Sequence, residues 1–205
     1  MNLKQLQALT GLFFAVFLGV HLINLWLAPL GAAAYDGFQA VAQRAYQWLP
    51  LETLLLACLL VHAAIGLWRM RERRPPSTPQ ARWHRRAGVF LLIFIAGHIM
   101  AVRGPSWFAD IYPGFSGLAF SIDFAPLYFY PYYFLLALAG FYHGLYGATR
   151  ALARFGLRFD VRLGLWTTAA GLCTVAALMG FGGVFGLADD PYESEFARLV
   201  LRWIG

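Results

Sequence analysis

Residues 9–28 read LTGLFFAVFLGVHLINLWLA, a run in which His21 is the only ionisable side chain. About 20 apolar residues at 1.5 Å each span the hydrocarbon core of a bilayer, so this run has the length of a membrane-crossing helix. The design then repeats. Residues 49–68 carry His62, 87–102 carry His98 and 125–148 carry His143. A fifth run, about 163–188, has no ionisable residue and many glycines, and is expected to pack closely without binding metal. The chain thus reads as an all-α integral membrane protein, a five-transmembrane-helix bundle forming a single domain over 1–205.

Composition agrees with that class. With 60% hydrophobic and 13% charged residues, the chain is not an ordinary soluble domain. In lipid, each helix must satisfy its backbone polar groups internally. The formal charge of +6 lies in the connections between spans and is not spread as a nucleic-acid surface. Cys58 and Cys173 are isolated in apolar runs and read as small fillers. The first run is too long for a cleavable signal and is expected to be a retained helix.

Between the spans, residues 31–47 look amphipathic, with Phe38, Val41, Ala45 and Trp48 at helical spacing, and are expected to lie in the interface. The second connection is crowded with arginines and broken by Pro75, Pro76 and Pro79. The third span reads as short, with Arg86 and Arg103 snorkelling to extend it. Residues 104–124 read as a long aromatic loop, and Tyr128, Phe129, Tyr130, Tyr132 and Tyr133 as an interfacial belt at the start of the fourth span. The tail from Asp189 begins acidic.

Lys4, the arginines at 69, 71, 73, 74, 82, 85 and 86, and those at 150, 154, 158 and 162 account for twelve of the sixteen basic residues. All twelve fall on one face if successive spans alternate in direction. The positive-inside rule then places the N-terminus in the cytoplasm and the C-terminus outside, in an inner (cytoplasmic) membrane crossed several times.

Each histidine lies past the middle of its span in the direction of travel. In an alternating bundle His21 and His98 therefore share one depth, nearer the outside, and His62 and His143 share the other, nearer the cytoplasm. A single intramembrane histidine is explained as well by a hydrogen bond to a neighbouring helix as by ligation. Four of them, one per helix and paired in depth, point to two iron porphyrins stacked across the membrane, each held by two neutral imidazoles. Four histidines at two depths cannot converge tetrahedrally on one zinc ion. Small residues near the imidazoles (Gly19, Ala63, Gly66, Gly97, Ala101, Gly140, Gly144, Gly147) leave room for a flat ligand, and any one of them is equally explained by helix packing. No C-x-x-C-H occurs, so both haems would be held non-covalently. His84, in Trp83-His84-Arg85-Arg86, reads as an exposed residue of the basic loop, near a haem propionate.

Four short motifs, in this order, resemble a known family. They are Leu-Thr-Gly opening the first span before His21-Leu22-x-Asn24; Leu60-Val61-His62-Ala63-x-x-Gly66; Arg86-Ala87-Gly88 leading to Gly97-His98; and Tyr142-His143-Gly144. The chain resembles, over nearly its whole length, the diheme cytochrome b anchor subunit of succinate dehydrogenases and fumarate reductases. The resemblance implies two haem b groups with His21 paired to His98 and His62 to His143, the pairing that depth gives independently. It also implies electron transfer between a membrane quinone (menaquinone or ubiquinone) and an iron–sulfur subunit and flavoprotein subunit on the cytoplasmic side. This chain has no flavin motif and no cysteine cluster, so dicarboxylate chemistry would belong to those partners, with the arginine-rich loops as docking surfaces. Two departures stand out. One branch of the family carries a glutamate two residues before the fourth-helix histidine, where this chain has Phe141. The family's quinol-site glutamate is expected near Gln43, with Asp36 and Glu52 close in sequence.

Two other readings fit parts of the pattern. Nitrate-reductase-type and b561-like diheme cytochromes commonly place two ligands on one helix, whereas this chain has one on each of four. A non-redox membrane scaffold would use its histidines structurally.

Overall fold

The computed structural model describes residues 2–72, 76, 78–186 and 190–204. Eight α-helices and two short 3-10 turns make up the described residues, with no strand among them. In chain order they are α1 (Leu3–Trp26), a turn at Ala28–Leu30, α2 (Ala32–Tyr46), α3 (Leu49–Glu72), α4 (Pro79–Ala109), α5 (Phe115–Phe124), α6 (Pro126–Arg154), α7 (Leu163–Phe181), a turn at Pro191–Glu193, and α8 (Glu195–Ile204). Arg73, Arg74, Pro75 and the stretch 187–189, which includes Asp189, lie outside the described residues.

Four helices are long and apolar enough to cross a membrane: Leu3–Leu30 with its terminal turn, Leu49–Glu72, Pro79–Ala109 and Leu163–Phe181. Their outward faces remain hydrophobic, with Val16 72% exposed, Leu60 69%, Ile93 66% and Leu172 67%. Such faces suit lipid and would be costly in water. The helix carrying His143, α6, is as long as the others, but its tyrosines and arginines make it less apolar. It packs against α1, α4 and α7, while α3 packs on α1.

The tightest core lies at one end of the bundle. There Ala28, Tyr35, Phe115, Ala119, Ile122, Ala177, Leu178 and Phe181 are buried together, joining α2, α5 and α7 to the turn after α1. Gly180 matters here, because a Cβ at that position would stand 3.0 Å from the Ala28 carbonyl oxygen. Trp26 Nε1 donates to Thr174 Oγ1 (3.1 Å), tying α1 to α7 at the same end.

Two expectations from the sequence are corrected. The stretch 104–124 is not a loop. Helix α4 continues through Pro105 to Ala109, ending at Asp110 in a left-handed conformation (φ 56°), and 115–124 form the buried α5. The third membrane-crossing helix is therefore not short, and Arg103 is not a snorkelling flank: it pairs with Glu52 of α3 through two hydrogen bonds (2.6 and 2.9 Å). The stretch 31–47 is helical over Ala32–Tyr46, with Tyr35 and Gln39 buried and Val41 and Trp48 more than 60% exposed.

Candidate functional site

The four span histidines come together in two pairs. The rings of His21 (α1) and His98 (α4) have centroids 5.9 Å apart with planes at 73°. Those of His62 (α3) and His143 (α6) are 6.0 Å apart at 84°. Two imidazoles bonded to opposite sides of one metal at about 2 Å each have ring centres roughly 6 Å apart. Both pairs have that spacing.

The pairs occupy different depths. Gly11 of α1 faces the ring of His62, and His21 lies ten residues further along the same helix. That is a rise of about 15 Å. The same ten-residue step separates Gly88, which faces His143, from His98 on α4.

The pair His62/His143 is held by a device that occurs twice. His62 Nδ1 lies 3.1 Å from the Gln7 carbonyl oxygen, and His143 Nδ1 lies 3.1 Å from the His84 carbonyl oxygen. A carbonyl can only accept, so each Nδ1 carries the proton and each Nε2 keeps its lone pair for a metal. In a helix the carbonyl of residue i points toward residue i+4, whose side chain would normally crowd an approaching ring. Here residue i+4 is Gly11 in one case and Gly88 in the other. A Cβ on either would sit 2.8 Å from the imidazole Cε1, closer than such contacts allow.

The pair His21/His98 is bounded differently. His21 stacks on Phe17 (5.8 Å, 15°), which meets Tyr46 of α2 edge-on (5.2 Å). Gly19 and Gly97 are exposed, with open space where a Cβ would be. At the same end of the bundle, Arg103 pairs with Glu52, donates to Ser106 Oγ and lies over the Trp107 ring (5.3 Å). Asp36 is engaged elsewhere, its Oδ1 accepting from Phe115 N at 2.8 Å.

The remaining small residues divide by role. Gly140 and Gly144 admit Leu18 of α1, so they serve helix packing. Gly66 lies against the Gln7 side chain and Gly147 against His84. His84 itself departs from expectation. It lies on α4, is partly buried, and stacks on His143 with centroids 4.1 Å apart and planes 10° apart. Its Nδ1 is buried with no hydrogen-bond partner. Gly11 and Gly88, members of the Leu-Thr-Gly and Arg-Ala-Gly motifs, were given no role of their own by the sequence reading. The signal was present: both precede a histidine by ten residues, on helices that start the same long–short–long helical series.

Among the described residues, no group of three or more His, Cys, Asp or Glu side chains could hold a metal ion. What the bundle offers is two-histidine sites, one above the other. No family model, curated protein or solved structure matches this chain.

Proposed function

We propose that this chain is a diheme cytochrome b, the membrane anchor that carries electrons between a membrane quinone and an iron–sulfur/flavoprotein partner of the succinate dehydrogenase or fumarate reductase kind. The observation that carries the reading is the pair of histidine pairs, each near 6 Å and separated by about 15 Å in depth, inside an apolar helical bundle.

A bound haem b would supply reversible one-electron chemistry at each pair. The chain's own residues do the rest. His21 and His98 would hold the outer group, and His62 and His143 the inner one. The carbonyls of Gln7 and His84 fix the tautomer and direction of the inner imidazoles. Gly11 and Gly88 let those rings approach. Helices α1, α3, α4 and α6 keep water away from both.

The basic face, read as cytoplasmic, adjoins the inner pair, and the partner subunits would dock there. The quinone belongs at the opposite end, near the outer pair, where Tyr46, the Glu52–Arg103 ion pair and Trp107 gather between α2, α3 and α4. Dicarboxylate chemistry is assigned to the partners, and the membrane is the cytoplasmic one.

The purified chain is expected to show two b-type haems by its reduced-minus-oxidised spectrum. His21→Ala and His98→Ala should remove one and the same haem, His62→Ala and His143→Ala the other. A colourless protein would indicate a non-redox scaffold, and loss of a shared haem from the His21 and His62 variants would overturn the pairing.

A further inference from the structure

At the basic end of α4, Arg82, Arg85, Arg86, Val89, Phe90 and Ile93 line an open cavity of about 490 Å3, closed on one side by Pro76. These positions fall at i, i+3, i+4, i+7, i+8 and i+11, a single stripe along one helix face. The stripe changes character once. Its first three members are guanidinium groups and its last three are wholly apolar, and among the described residues no acidic side chain lines the cavity. Ile93 is 66% exposed and Val89 39%, so the apolar floor faces outward, away from the histidine pairs. Arg86 is pre-positioned by its stacking over Trp83, at 4.9 Å from the ring centre.

From Arg82 to Ile93 the stripe runs about 16 Å along the axis. A soluble anion would fill only its head, and a protein docked on the basic face would not reach its foot, which lies at hydrocarbon depth. A ligand with an anionic head and an acyl tail matches both parts. We propose that this groove is a binding site for one anionic phospholipid, its phosphate held among Arg82, Arg85 and Arg86 and an acyl chain laid along Val89, Phe90 and Ile93. Arginine suits that head group, because its planar fork matches phosphate oxygens two at a time. The site needs only that α4 crosses a membrane, and it stands or falls separately from the haem reading.

The test is native mass spectrometry of the full chain in detergent, titrated with dioleoyl phosphatidylglycerol and dioleoyl phosphatidylcholine. Phosphatidylglycerol is expected to bind about tenfold tighter or more. The variant Arg82→Gln/Arg85→Gln/Arg86→Gln should lose that preference. The control Arg150→Gln/Arg154→Gln/Arg158→Gln should keep it, although those arginines sit at the same end of the bundle, where Tyr142 of α6 donates to the Gln80 carbonyl of α4. Ile93→Asn, with every arginine intact, should weaken phosphatidylglycerol and leave binding of soluble glycerol phosphate unchanged. It carries the test if the triple variant fails to fold. Equal affinity for the two lipids would overturn the site. So would an equal loss in the control, which would mean diffuse surface charge, or competition by glycerol phosphate as strong as by the lipid, which would mean a docking patch for soluble anions.

Discussion

An imidazole hydrogen-bonded to a helix carbonyl needs a gap in the next turn, and Gly11 and Gly88 are those gaps. Alanine at either would place a methyl group 2.8 Å from a ring atom. Overpacking of this kind costs about 1–3 kcal/mol, against less than about 1 kcal/mol returned by better helix propensity. Gly88→Ala is therefore expected to displace His143 and to disturb the inner haem alone, read as loss or broadening of one of two redox-resolved absorption bands. His84→Ala makes the contrasting case. The acceptor of His143 is the backbone carbonyl of residue 84, which survives the substitution, so the inner haem should be retained with a shifted potential from loss of the stacked ring. At Gly97 a methyl group meets open space. There the haem-free chain should gain thermal stability, by up to about 1 kcal/mol. Loss of the outer haem in that same variant would locate the porphyrin against the gap.

Short elements are where sequence reading falls short, and α5 shows why. Six of its ten residues, FSGLAFSIDF, are buried, the run is too short to display a clear period, and Pro113, Gly114 and Gly117 look like loop punctuation. What makes the helix is tertiary: the core of Tyr35, Phe181 and Ala177 around Phe115 and Ala119, and a carboxylate lent by another helix. Asp36 of α2 accepts from the first N–H of α5, at Phe115. Burial away from water pushes the Asp36 carboxyl above its ordinary value, and the Phe115 hydrogen bond offsets this only in part. A raised folded-state value means that the neutral form is favoured in the fold. The associated stability is fully present below the unfolded-state pKa and is lost as pH rises through the folded one. Asp36→Asn keeps an acceptor oxygen without the charge, so this part of the pH dependence of thermal unfolding should vanish. Asp36→Ala removes the cap and should cost about 1 kcal/mol at low pH, a cost that shrinks as pH rises and the wild-type carboxyl ionises. The long spans posed no such difficulty, because their runs of apolar residues are legible without any partner. The third was read as short only because its ends are polar: Arg103 is made tolerable by Glu52, a residue of another helix.

For the whole molecule, the depth of each histidine was legible from chain alternation, and the partner carbonyls and facing glycines were not, since glycine is common in membrane helices for packing alone. Alternation also has an energetic consequence. On the proposed reading, two electrons enter near the outer pair and leave at the basic end. Each elementary charge moved through 100 mV involves about 2.3 kcal/mol, and the pair of electrons roughly twice that. A proton path in parallel would cancel the term, but the position two before His143 is Phe141, an apolar ring packed on Trp26 (5.9 Å). Turnover in proteoliposomes, with partner subunits present, is thus expected to respond to an uncoupler, and a rate indifferent to membrane potential would exclude this. The ten-residue step from Gly11 to His21 and from Gly88 to His98, each followed by a short helix and then a histidine-bearing long one, has a different consequence. Helices α1–α3 and α4–α6 follow one long–short–long pattern, with α7 and α8 outside it, and each histidine pair takes one ring from either half. On the proposed reading neither half could complete a haem site alone, so bound haem would tie the two halves together. Severed between α3 and α4 and expressed as separate polypeptides, residues 1–74 and 75–205 should find each other in the membrane and restore both pigments, while each expressed alone should restore neither.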